Sequence, residues 1–392
     1  MEAKAAARQR LEAARADLIE LSHRIHAHPE LGWQEEKAAQ WVAQTLAEAG
    51  FSVQRGAYGL PTALLARAGS GPLHIAFCAE YDCLPGIGHA CGHNIIAAIA
   101  VGAAIAAAAV ADEVGLTVTV LGTPAEEVGD AAGKVVMLER GAFEGVHAAM
   151  MVHPGPLDVA LPPMVAACAF DVFYTGKEAH AAAFPELGLN AADALVVAQT
   201  AIGLLRQHIR HSDRIHGIVT KGGDAANVIP AHTSARYIVR SKTLAQLDKL
   251  FPRVRACFEA GALATGCQVR IAGGDKPYAD MLHDTELALL YQRNAEALGR
   301  QFRTAADTRP DVHPTAAGST DMGNVSHRMP AIHPIIAIGS LPAVNHQPEF
   351  AAHCVTGEAD RAIFDGALAM VWTAIDAATQ ASVRERLMAA HR

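Results

Sequence analysis

Residues 80–94 read Glu80-Tyr81-Asp82-Cys83-Leu84-Pro85-Gly86-Ile87-Gly88-His89-Ala90-Cys91-Gly92-His93-Asn94, a short stretch holding two histidines, two cysteines and two acids. Cys91 and His93 are separated by a glycine, which lets the backbone bend so that a thiolate and an imidazole can turn toward one ion. Alone, a Cys-x-His pair is a weak signal, and further donors must come from elsewhere in the chain. Thr123-Pro124-Ala125-Glu126-Glu127 offers two adjacent carboxylates. One carboxylate can bind a metal while its neighbour, left uncoordinated, takes a proton from water. The same pair also suits an ordinary first helical turn, where acids are favoured. His153-Pro154-Gly155 and Asn345-His346-Gln347-Pro348-Glu349 supply two more imidazoles.

These donors follow apolar runs of strand length at 73–78, 116–121, 146–152 and 332–338. In an open α/β sheet, ligands bind at the carboxyl ends of strands, so the runs are expected to bring the donors to one edge. Residues 3–26 carry Leu11, Leu18, Leu21 and Ile25 at helical spacing and predict an amphipathic helix. His26 and His28 diverge at i and i+2, so they read as a helix end at Pro29 and not as a metal pair. A second helix is expected over 35–50, with strands at 51–54 and 62–66. Residues 94–111 contain no charge and reach spanning length, but alanine dominates them, and a buried helix on the sheet is the stronger reading. Beyond residue 151, strand patterns at 165–174, 214–220, 233–240 and 268–272 alternate with helical ones at 190–208 and 244–264, in the order βαββαβ. That order predicts an inserted α+β, ferredoxin-like domain at 164–276, between Pro162-Pro163 and Asp275-Lys276-Pro277. The expected fold is therefore two-domain α/β, with a discontinuous catalytic domain at 1–163 and 277–392 around a central mixed sheet.

The motifs HACGHN, TPAEE, MMVHPGP, GKEAHAAAFPELGLNAADA, GGDAANVIP, GSTDMGNVS and NHQPEF together resemble the metal-dependent amidohydrolases related to hippurate hydrolase and the indole-acetyl-amino-acid hydrolases. Glu80-Tyr81-Asp82 with GSTDMGNVS looks closest to the branch of p-aminobenzoyl-glutamate hydrolase and the β-alanyl-lysine-type dipeptidases, and the match runs over nearly the whole chain. The resemblance implies Cys91, His93, Glu127, His153 and His346 as metal ligands. Thiolate, imidazole and carboxylate are all ordinary zinc donors, and five of them suit two divalent ions ~3.5–4 Å apart. Zinc leads, with Mn, Co or Ni as alternatives. The resemblance makes Glu126 the catalytic base, taking a proton from the attacking water and passing it to the leaving nitrogen, and Asp82 the carboxylate that supports it or a ligand. It implies that His180 stabilises the tetrahedral oxyanion, reaching the site of the other subunit in a homodimer formed through the lid. Asn227 and Arg240 resemble substrate-binding positions, Arg240 facing a substrate carboxylate, with Gly318 and Ser319 lining the pocket. Two positions depart from the pattern. Glu80 stands where distant two-metal relatives have a metal-binding histidine, and either joins the site or closes the loop. Asn94 stands where many relatives have aspartate. Cys83 reads as a buried bystander and His89 as a loop histidine without a direct role.

The expected function is hydrolysis of the amide in an N-acyl amino acid or small dipeptide. The alternative is a metal-binding regulatory or amino-acid-conjugate-binding subunit without its own turnover. A redox zinc enzyme fits less well, because no Gly-x-Gly-x-x-Gly follows a strand. Across 392 residues the net charge is −8 and no long basic run occurs, which argues against nucleic acid as a partner. Seven scattered cysteines and a charged start without a signal-peptide core predict a cytoplasmic enzyme with no membrane association.

Overall fold

The computed structural model describes residues 2–302 and 318–390. Six strands form the main sheet in the order β1 (Ser52–Arg55), β2 (Leu64–Ala68), β4 (Leu116–Gly122), β3 (Leu73–Ala79), β5 (Ala148–Met150) and β11 (Ala331–Ile332). The pairs β1/β2 and β2/β4 are antiparallel, whereas β4, β3, β5 and β11 run parallel. The parallel strands are apolar because helices cover them: Ile75, Phe77, Val118 and Val120 are all buried. The helix His93–Ala108 lies almost wholly inside and packs beside Gly357–Thr379. Gly366 permits this packing, since a Cβ there would stand 2.8 Å from Ile99 Cδ1. Gly357–Thr379 is long and apolar enough to cross a membrane, yet 78% of its most apolar window is buried in this core.

The second sheet is antiparallel, in the order β10 (Gln268–Gly273), β7 (Ala166–Thr175), β9 (His232–Ser241) and β8 (Arg214–Lys221). Helices Ala191–Leu205 and Leu244–Thr265 pack on one face, through Leu195, Ile202, Leu250 and Phe258 against Phe170, Val172 and Tyr237. This is the βαββαβ unit expected from the pattern, with a core of its own.

Two expected elements are divided and one is shortened. The first helix breaks at Ala14 into Glu2–Ala13 and Arg15–Ala27. The run 146–152 yields only β5, and β6 (His153–Gly155) follows as a separate strand. The run 332–338 is likewise split into β11 and β12 (Ile335–Ala337), and β12 pairs with β6 in a two-stranded sheet. Pro334 lies at that break, where a residue without an N–H interrupts the ladder.

Candidate metal centre and active site

The candidate donors follow the carboxyl ends of β3, β4, β5 and β12. His93 opens the helix His93–Ala108 behind Gly92, which has φ 83 and would place a Cβ 2.5 Å from Pro154 Cγ. Only glycine fits there, and it brings Cys91 and His93 onto one side of the turn. Glu126 and Glu127 sit on a single 3-10 turn, Glu126–Val128, preceded by Ala125 at φ 56. His346 also has a positive φ, 70. Non-glycine residues in this region are uncommon and cluster where surrounding structure enforces a functional geometry.

Asp82 orients two candidate ligands at once. Its Oδ1 lies 3.0 Å from His93 Nδ1, and its Oδ2 accepts the Glu127 backbone N–H at 2.9 Å. His93 Nε2 therefore faces the cluster, 3.4 Å from Glu80 Oε2, 3.9 Å from Glu127 Oε1 and 4.0 Å from Glu126 Oε2. Cys91 Sγ is 3.3 Å from His153 Nε2, and His346 Nε2 is 3.6 Å from Glu127 Oε1. Three overlapping donor groups result: Cys91, His93 and His153; Cys91, Glu127 and His346; Glu80, His93 and Glu126. Among the described residues, His93 Nε2, Glu127 Oε1 and Glu80 Oε2 are buried without a hydrogen-bond partner. Buried polar atoms are seldom left so, and divalent cations among them would satisfy all three.

Burial pushes the Asp82 carboxyl up, but the His93 imidazole and the Glu127 and Glu126 backbone N–H groups overcome this and hold it below the usual range. It stays an anion that accepts from His93. Burial, then the charges of Glu80, Glu127 and Asp321, push Glu126 well above the carboxylate range. A carboxylate with raised proton affinity is suited to taking a proton near neutral pH. Burial and the neighbouring His93 lower His153 to about 4, so its imidazole is neutral, the form that ligates metals.

The lid residues stand apart from this cluster. Arg240, on β9, donates from Nη1 to Ser319 Oγ at 2.8 Å and so joins the lid to the Gly318-Ser319 segment, where Gly318 O accepts from Val165 N. His180 and Asn227 are exposed neighbours, linked by the Ala181 N–H donating to Asn227 O. Among the described residues, the His180 ring accepts from the backbone N–H groups of Ala182 and Ala183 and makes no hydrogen bond or ion pair with the cluster. Asn94 donates to Ser22 Oγ and Cys354 O, tying helices together, which accounts for an amide at this position. His89 is buried against His26 and belongs to none of the donor groups. His28 bonds Arg24 O at the helix end, while His26 reaches Ala351 O in a remote helix, and neither belongs to a donor group.

Several supporting residues carry no local sequence signal. Glu35 Oε1 accepts the Ala125 N–H at 2.7 Å, and Tyr278 Oη bonds Glu126 O, so both hold the Glu126 turn from remote parts of the chain. Lys134 is fully buried between Glu80 and Asp321, and the buried His333 ring stacks 5.4 Å from His153. Asp321 alone of these lies within one of the motifs.

Cysteine, imidazole and carboxylate side chains converging at the strand ends of a mixed sheet that carries an inserted α+β unit are the arrangement of a metallohydrolase. The chain belongs to peptidase family M20/M25/M40, which matches residues 76–356. It is 37% identical over 388 residues to the Xaa-Arg dipeptidase of Mus musculus, covering 95% of this chain and 88% of that one. With a p-aminobenzoyl-glutamate hydrolase polypeptide of Escherichia coli it shares 32% identity over 279 residues, 65% of this chain and 57% of the relative. Among solved structures, an aminobenzoyl-glutamate utilization protein from Klebsiella pneumoniae has the same fold, with TM-score 0.72, 20% identity and coverage of 93% and 97%. A dinuclear metal-binding M20 peptidase from Bacillus subtilis superposes with TM-score 0.66, 23% identity and coverage of 93% and 98%.

Proposed function

We propose that this metallopeptidase cleaves the amide of a small dipeptide or N-acyl amino acid at a two-metal centre, with Glu126 as general base. The observation that carries this reading is the convergence of unpartnered, buried His93 Nε2 and Glu127 Oε1 beside a Glu126 of raised proton affinity. Cys91, His93, Glu127, His153 and His346 would hold the ions, zinc first by donor chemistry, with Mn, Co or Ni as alternatives. The ions supply Lewis acidity and lower the pKa of water. Glu126 takes the proton of the attacking water and delivers it to the leaving nitrogen. Asp82 keeps His93 and Glu127 in register throughout. Arg240, with its planar fork beside Ser319, receives the substrate's terminal carboxylate. Identity of 37% to an Xaa-Arg dipeptidase favours dipeptides ending in a cationic residue, with p-aminobenzoyl-glutamate-like and β-alanyl or lysyl amides as the other candidates.

A homodimer through the lid completes this proposal. Among the described residues β8 is an edge strand that exposes Ile218 and Val219, and the helix Ala191–Leu205 exposes Val196 and Leu204, which supports pairing of this edge with a second copy. His180 would then act on the partner's substrate carbonyl. We place the enzyme in the cytoplasm, where its seven unpaired cysteines would remain reduced. The test is a hydrolysis panel with metal-loaded protein, covering Xaa-Arg and Xaa-Lys dipeptides, β-alanyl dipeptides, p-aminobenzoyl-glutamate and hippurate. Turnover of the cationic dipeptides above the rest is expected. A chain that holds two metals and cleaves none of them would instead support the regulatory-subunit reading.

A further inference from the structure

Behind the metal centre lies an ion triad that the reaction outlined above leaves unused. Lys134, in the helix Gly133–Glu139, is fully buried. Its Nζ donates to Glu80 Oε1 and to Asp321 Oδ1, the latter at 2.6 Å, and its backbone N–H donates to Asp321 Oδ2 at 2.8 Å. Glu80 and Asp321 are themselves inaccessible to solvent. Taking three charges out of water is expensive, and a buried ion pair is often no better for stability than apolar residues of the same volume. Two acidic side chains share one buried ammonium here, so stability is a poor reason for the arrangement.

The geometry offers a better one. Glu80 Oε1 is tied to Lys134, while Glu80 Oε2 is buried, has no hydrogen-bond partner among the described residues, and stands 3.4 Å from His93 Nε2, which also has none. Together with Glu126 these atoms form one of the donor groups compact enough for a cation. Resting on the two-metal reading above, we propose that Glu80 is a further protein ligand of the metal centre and that Lys134 is the positioning residue that presents its Oε2 to the ion. Asp321 holds Lys134 through both its Nζ and its backbone N–H, which fixes the ammonium against Glu80 Oε1. The arrangement extends a familiar pattern, in which an outer group fixes the orientation of a ligand, to a carboxylate steered by an ammonium.

The test uses the full chain stripped of metal and reloaded with Co²⁺, reading ions per chain, competition affinity and the visible cobalt spectrum. Glu80→Gln preserves shape and leaves Lys134 paired with Asp321. One of two cations should bind at least ~10-fold more weakly, with shifted cobalt bands. Lys134→Met should weaken the same cation in the parent background but have no further effect on it in Glu80→Gln, because it acts only through Glu80. Two cations at parental affinity with an unchanged spectrum in Glu80→Gln would overturn the proposal. If the variants do not fold, an anomalous-scattering map of the metal-loaded parent decides the matter. A cation ~2.0–2.2 Å from Glu80 Oε2 supports it, and both cations beyond bonding distance overturn it. A parent that binds no metal would defeat the two-metal reading itself, a different outcome from two cations that ignore Glu80.

Discussion

The floor of the site and the lid above it are built on opposite principles. On the floor, Asp82, His93 and Glu126 are buried and tied to remote parts of the chain, with His346 exposed at the rim: His93 is held by Asp82, Asp82 by the Glu127 N–H, and the Glu126 turn by Glu35 and Tyr278. On the lid, His180 and Asn227 are exposed on loops that bond each other, and Arg240 makes a single side-chain hydrogen bond, to Ser319, among the described residues. Groups that must hold ions or move protons gain from preorganisation, which removes reorganisation at the moment of reaction. Those that meet the substrate last must stay open until it arrives, and closure or a partner chain completes them. The difference predicts which substitutions damage the ion-binding floor and which damage only the assembled site.

The largest effect should come from Cys91→Ala and His153→Ala. Each removes a donor, so metal content and rate should fall together, by more than the ~10–100-fold typical of outer partners. Full occupancy in either variant, by elemental analysis, would break the proposed ligand set. His180→Ala should instead keep its metal and lose most of its turnover. Mixed and re-associated with Glu126→Gln, it should recover activity at up to about a quarter of all sites, since one site of each hybrid dimer has both groups intact. No recovery in hybrids verified by mass would place His180 outside the partner's site. Asp82→Asn comes next, with an expected ~10–100-fold loss of metal affinity as His93 and Glu127 lose their common anchor. Unchanged competition curves would show that the floor does not need it.

The smallest effect is a matter of pH. Burial, and then the charge of Asp82, push Glu35 from an ordinary 4.5 up to about 7. The folded chain thus holds a proton that the unfolded chain has lost. That contribution is complete below about 4.5 and disappears as the pH rises through about 7. Glutamine retains the acceptor for Ala125 N–H and removes the titration. Tm measured from about pH 5 to pH 8 should therefore fall more steeply in the parent than in Glu35→Gln. Parallel curves would show that Glu35 is not protonated in the fold.

Much of the floor was legible in the sequence, because its donors sit in compact motifs just after strand-like runs. Gly92 marked the bend between Cys91 and His93, and the paired acids marked the turn after β4. The lid was legible as a change of pattern to βαββαβ. What could not be read were contacts between remote single residues. Lys134, Glu35 and Tyr278 each lie far along the chain from the groups they hold, with no motif around them, and only the fold brings them together. The split of 332–338 did have a local signal, because Pro334 cannot donate to a ladder, and it is at His333-Pro334 that the backbone passes from one sheet to another.

The central claim is that Glu126 moves the proton without holding the metal on its own. Glu126→Gln, assayed beside the parent for metal content and for turnover of an Xaa-Arg dipeptide, tests it most directly. The account predicts two ions per chain in both proteins and a rate lower by at least ~10²-fold in the variant. Turnover within a few-fold of the parent, at equal metal content, would contradict it.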